Sequence, residues 1–283
     1  MAQGESDFEA RAKATYELAR QYVLSFRGDG VTDEVLDAYL EPRIAPPSSS
    51  NDVYRRLLES AQNSNMRPAV IGESIGGLGS LRHVLCDFDP RAVQQSFSNG
   101  WEEVLDLIVA DVHPSGKIRR TPRSIWPLFC RAILSGADFL SQFADAQEFC
   151  DWVDVFDRDD RIRPALPMLI SYEVDGLGFP LACDFLKELG YLNFGKPDVH
   201  VKAILSGLGF TRSGADDYET FKAIVSVAKA VGFTPYHVDK LLWLVGSGRF
   251  YDHPNVGSSG FVRTDRSAFI EGARRTLDDV APA

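Results

Sequence analysis

The chain has 283 residues, 45% hydrophobic and 25% charged, with a net charge of −10 and four cysteines. That length suits one large domain or two lobes. No apolar stretch reaches the ~20 residues of a membrane helix, and the opening MAQGESDFEARAK lacks the apolar run of a secretory signal. Cys86, Cys130, Cys150 and Cys183 are too scattered for a zinc, iron–sulfur or dense disulfide pattern, so reduced thiols in a cytoplasm are expected.

Taken in chain order, the elements read as helices. Residues 7–26 set Phe8, Ala12, Tyr16, Ala19, Val23 and Phe26 on one side at steps of three and four. Asp33 is expected to cap a short helix ending near Pro42. The linker PPSSSND, 46–52, is expected to cap VYRRLLESAQ. Four glycines within Gly72–Gly79 argue for a loop, followed by a helix around Leu81–Cys86. Helical spacing returns at 101–112, 121–143, 147–156, 163–174, 179–190, 198–209, 217–232, 234–247 and 265–280. Strand alternation is absent, and the expected fold class is all-α.

Charge is unevenly spread. No acid lies between Asp111 and Asp138, where Lys117, Arg119, Arg120, Arg123 and Arg131 fall, whereas Asp151, Asp154, Asp157, Asp159 and Asp160 crowd 151–160. The acidic total argues against a general nucleic-acid coat protein but is compatible with one basic face. Read alone, each charged run is a solvated surface.

Residues 164–209 carry the chemistry. An apolar helix runs into Val174-Asp175-Gly176-Leu177-Gly178, and a second helix starts at once. Two glycines between helices let the backbone approach another molecule closely. The first amides of the second helix offer a seat for phosphate, although a tight turn chosen for packing reads the same way. After the loop YLNFGKP, Pro197 pre-sets the turn that puts Asp198 at the start of the next helix, as an N-cap or as a functional carboxylate.

A Gly-x-Gly hairpin, a helix, a loop and Pro-Asp-x-His-Val opening the next helix resemble the helix-hairpin-helix (HhH-GPD) DNA glycosylase superfamily. The resemblance spans about 52–250 and is sharp over 174–201. It implies a two-lobed helical glycosylase-like fold. One lobe would run over 51–190, and 1–50 plus 191–283 would form the other, with Asp198 in the cleft between them. Asp198 matches the family's catalytic carboxylate, and Gly176 and Gly178 its DNA-backbone hairpin. Lyase-competent members carry a lysine at the position of Pro180, 18 residues before Asp198. The resemblance therefore implies a monofunctional glycosylase that hydrolyses the N-glycosidic bond of a damaged or modified base. Lys187 and Lys196 are the nearby lysines that could replace the missing amine.

Gln62 and Asn63 end a helix similar to the family's early one, whose loop fills the gap left by an extruded base. Residues 66–120 look like an insertion. Lys196, Arg119 and Arg120 are expected to meet phosphates, together with Lys117, Arg123, Lys202 and Arg212. Phe179, Trp126, Trp243 and His200 are pocket candidates, although Trp243 reads first as core and His200 first as a hydrogen-bonding support. Neither a metal nor an iron–sulfur cluster is expected, a monovalent or divalent cation at the hairpin backbone being the exception left open. The expected partner is duplex DNA, met by a monomer with no membrane attachment. A non-catalytic hairpin DNA-binding protein and a helical interaction protein without a nucleic-acid role are the rival functions.

Overall fold

A computed structural model describes residues 2–63, 70–251 and 253–280. Among them the chain is all-α, with helices α1 (Ala2–Leu24), α2 (Asp33–Leu40), α3 (Ser50–Ala61), α4 (Val70–Ile75), α5 (Pro90–Ser96), α6 (Trp101–Val112) and α7 (Ile125–Ser141). There follow α8 (Ala146–Asp157), α9 (Ala165–Glu173), α10 (Phe179–Glu188), α11 (Val199–Gly207), α12 (Asp217–Val231), α13 (Pro235–Ser247) and α14 (Arg266–Val280). Extended pairing among these residues is limited to isolated bridges of Phe261 with Arg249 and Gly257. None of the described helices is long and apolar enough to cross a membrane.

The chain divides into two compact units. The terminal unit, 1–43 with 192–283, holds α1, α2 and α11–α14. The middle unit, 44–191, holds α3–α10. The linker before α3 belongs to the middle unit, where Arg56 donates to Ala45 O at 2.8 Å and Glu188 O at 2.9 Å.

The apolar face of α1 builds the terminal core. Ala12, Tyr16, Ala19 and Val23 are buried, and Phe8 and Phe26 pack partly against the same cluster. Residues at helical spacing thus share one solvent-free stripe, each large side chain contributing about 1.5–3 kcal/mol of burial. The cap of α2 is Thr32, whose Oγ1 accepts from Val35 N at 3.3 Å. Asp33, expected as the cap, is instead the first helical residue and pairs with Arg20 and Arg27.

In the middle unit α7 is the central helix. Tyr54 of α3 is fully buried and donates to Ile133 O at 2.6 Å. Gly136 lets the two helices close, since an added Cβ would stand 2.9 Å from Leu57. Phe139, Phe143, Phe149 and Trp152 form an aromatic cluster with centroids 5.2–6.3 Å apart, favourable beyond simple burial.

Two expectations fail between α3 and α6. Gly72 lies inside α4, where its missing side chain leaves room for the Gln62 amide, 2.7 Å from a hypothetical Cβ. No α-helix forms at Leu81–Cys86; the chain makes short 3-10 turns at 78–81 and 86–88. Cys86, Asp87 and Phe88 take left-handed φ of 51°, 56° and 62°, which reverses the chain while Leu81, Leu85 and Phe88 stay buried. Asp89 then caps α5, accepting from Arg91 N and Ala92 N.

Candidate functional site

Asp198 sits where the sequence expects it, as the N-cap of α11. Its Oδ1 accepts from His200 N at 2.8 Å and Val201 N at 2.9 Å. No hydrogen bond to Oδ2 is present among the described residues. The two amides fix one carboxylate oxygen at the start of the helix.

What precedes Asp198 is held from α13. Tyr236 N donates to Leu192 O at 2.9 Å, and the Lys196 amide donates to Asp239 Oδ2 at 3.0 Å. Asp239 is only 2% exposed. Gly195 and Pro197 are buried, and a Cβ on Gly195 would strike Ile224 at 2.6 Å. The loop therefore has little room to move, and Asp198 inherits its rigidity.

His200 lies half-buried in the first turn of α11. Arg266 Nη1, from the start of α14, donates to Val199 O and to His200 Nδ1, both at 3.3 Å. A guanidinium only donates, so Nδ1 accepts and the neutral ring carries its proton on Nε2. Burial holds the imidazole below its ordinary pKa, opposed by the Asp198 carboxylate and reinforced by Arg266. Gly246 of α13 packs so tightly on this ring that a Cβ would come within 2.5 Å of it.

The hairpin lies in the middle unit. Gly176 has φ +77°, a conformation that needs glycine, and an added Cβ would be 3.5 Å from Leu128 O of α7. Asp175 N donates to Ser135 Oγ at 2.9 Å, tying the bend to the same helix. Gly178 differs. Its φ of −65° is ordinary, and a Cβ would meet nothing closer than Pro180 Cδ at 3.9 Å. The protein's own packing does not require a glycine there, and both glycines are exposed. Pro180, in the first turn of α10, supplies no N–H, so fewer amides face outward than a proline-free helix start would offer.

The remaining candidates sort by packing. Trp126 is 4% exposed and meets Phe129 edge-on within the core, and Phe179 is buried at the foot of the hairpin. Trp243 is half-buried and stacks on the exposed Tyr251 at 5.4 Å. The amide oxygen of Gln62 turns toward Gly72 and is buried with no hydrogen bond among the described residues, while Asn63 Nδ2 donates back to Glu59 O at 3.3 Å. The rest of that loop, 64–69, lies outside the described residues.

Among the cations, Arg120 pairs with Asp106 at 2.6 Å, Lys202 with Asp217, and Arg212 with Glu219 at 2.9 Å. Lys187 is buried beside Asp184 at 3.4 Å. Lys117, Arg119 and Arg123 are exposed and take no ion pair among the described residues. The acidic run is partly structural rather than merely solvated: Asp157 and Asp160 hold the buried Arg163.

Sequence reasoning did not single out Asp239 or Arg266 as site residues. A lone carboxylate among the apolar positions Val238, Leu241 and Leu242 was the available signal for Asp239; Arg266 left none. No group of three or more His, Cys, Asp and Glu side chains that could hold a metal occurs among the described residues. Comparisons with family models, curated proteins and solved structures find no match in any of the three.

Proposed function

We propose that this protein is a monofunctional DNA N-glycosylase that releases a damaged or modified base from duplex DNA. The observation that carries the reading is Asp198, a carboxylate fixed through one oxygen by two main-chain amides on a loop that α13 immobilises. The exposed Gly176–Gly178 bend, whose second glycine internal packing does not demand, supports a close approach of the sugar–phosphate chain.

The chemistry follows from those groups. A base inside a duplex shields its sugar, so the nucleotide must leave the stack first. Cleavage of the N-glycosidic bond develops positive charge on the deoxyribose, which a fixed anion in a water-poor pocket stabilises well. The second oxygen of Asp198 is suited to face that charge or to orient the attacking water. Pro180 has no amine and Lys187 is committed to an ion pair; water is the nucleophile proposed here, and covalent trapping by borohydride decides between it and Lys196. No cofactor enters the reaction.

Incubation with duplexes carrying oxidised, alkylated and hypermodified bases, then alkali to cut abasic sites, tests the reading. Cleavage on at least one duplex by the native protein, without covalent trapping by borohydride, is expected. Base release unchanged in Asp198→Asn would overturn it.

One observation favours a second reading, a helical interaction protein. Ile162, Met168, Leu169 and Tyr172, the last 88% exposed, leave large apolar side chains in solvent on and before α9. Absence of a low-salt gel shift with any duplex would select it.

A further inference from the structure

We infer that the loop joining α6 to α7, residues 113–124, is a preformed phosphate-binding element that grips duplex DNA beside the glycine bend. The inference deepens the DNA reading above and rests on it.

Three features converge on this loop. Its cations Lys117, Arg119 and Arg123 are exposed and lack ion pairs among the described residues, in a chain whose total charge is −10. No acid lies between Asp111 and Asp138, and Asp106 of α6 is spent on Arg120. Like charges concentrated this way repel one another, and an incoming polyanion relieves the repulsion.

The loop is also anchored toward both of its ends. Ser115 N donates to Ser74 O at 2.8 Å, the Thr121 and Ser124 hydroxyls bond at 2.5 Å, and Arg131 Nη2 donates to Pro122 O at 2.5 Å. Held so, the cations lose less freedom on binding than they would on a floppy segment.

Position completes the case. The loop ends at Ser124, whose carbonyl accepts from Leu128 N at 3.1 Å in the first turn of α7. Leu128 O is the atom nearest a hypothetical Cβ on Gly176, and Ser135 holds Asp175 N. The basic loop and the glycine bend are therefore braced on the same few turns of one helix. No large apolar side chain is exposed between residues 113 and 124. An inserted apolar side chain would strengthen binding to a lipid surface, whereas DNA phosphates need only charge and an open backbone.

The test compares two triple variants that change net charge equally. The first is Lys117→Ala, Arg119→Ala and Arg123→Ala. The second, Arg82→Ala, Arg158→Ala and Arg161→Ala, removes exposed cations already paired with Asp87, Asp154 and Asp159. Binding of an undamaged 20-base-pair duplex is followed from 50 to 200 mM salt. About 0.9 of slope is expected per phosphate contact, so the first triple should flatten log K against log salt by about 2.7, or about 40-fold less loss across that range. The second should leave the slope unchanged.

Equal flattening by both triples, or none by the first, overturns the inference. So does loss of binding to phosphatidylserine vesicles with duplex binding intact. Arg119→Glu alone, with an unchanged melting temperature, repeats the test without multiple changes. Because the duplex is undamaged, no turnover is needed. A native protein that binds DNA while the first triple keeps its slope sinks only the loop assignment; a native protein that binds no duplex sinks the glycosylase reading as well.

Discussion

Asp198 and Asp216 do the same local job in different surroundings. Asp216 caps α12 through a complete capping box, accepting from Glu219 N at 2.8 Å while the Glu219 side chain answers its own amide. Residues 212–214 before it are exposed, and among the described residues no buried side chain bonds to them. Asp198 makes an equally good cap yet follows a loop locked by Asp239, Gly195 and Pro197. A cap is worth about 1 kcal/mol wherever it stands and needs no such scaffold. The excess rigidity around Asp198 is what separates a positioned carboxylate from a helix terminator.

The sharpest way to break that contrast is the amide substitution at both positions. Asparagine caps as well as aspartate, so Asp198→Asn and Asp216→Asn should each keep the native melting temperature. Base release should fall by about 100- to 1,000-fold in the first and stay unchanged in the second. Turnover on the cleaved duplex, with a filter-binding control, reads both.

Next in size is the scaffold. Asp239→Ala leaves the partly buried Lys196 amide without that acceptor and should cost about 1–3 kcal/mol in urea unfolding. It should also lower kcat more than it weakens DNA binding, with Asp239→Asn recovering both. Loss of stability with kcat intact would reduce Asp239 to a purely structural group.

The hairpin offers a smaller contrast within two residues. Gly176→Ala forces a side chain into the left-handed region and should cost about 1–2 kcal/mol. Gly178→Ala should change stability by less than about 0.5 kcal/mol, yet weaken duplex binding several-fold in a gel shift, because the added methyl faces solvent rather than protein.

The smallest effect is a titration. Burial holds the His237 imidazole below its ordinary pKa, and Tyr16 Oη lies 2.8 Å from its Nε2. Above about pH 6.5 the ring is neutral in folded and unfolded chains alike. Below it the unfolded chain takes up the proton first, so stability is lost as pH falls, by at most about 1.4 kcal/mol per pH unit per histidine. His237→Gln should flatten the acid limb of a thermal-melting profile; His200, shifted the same way, leaves a residue of it.

The helices from α6 onward were legible because their apolar periods are long and their stops are marked by glycine and proline. The stretch 66–100 was not. Its α4 is short and holds a glycine chosen for the Gln62 amide, and its reversal uses left-handed cysteine and phenylalanine on either side of Asp87, residue types that turn rules do not flag. At the candidate site, spacing alone showed the cap position of Asp198 and the bend at Gly176, while the chemical role of both rested on the resemblance. Arg120, Lys202 and Arg212 could not be separated from Lys117, Arg119 and Arg123, because ion pairing depends on which helices meet. Sorting Trp126 from Trp243 likewise required the packing, not the pattern.

The left-handed run at Cys86–Phe88 bears on what this segment could become. Three successive side chains in a region that suits glycine and asparagine make an uneven landscape for substitution. Randomising position 87, where the side chain is exposed and pairs with Arg82, should enrich glycine and asparagine and exclude valine and isoleucine. The buried Phe88 is under the opposite pressure, since its ring fills the core while its backbone would be better served by no ring at all.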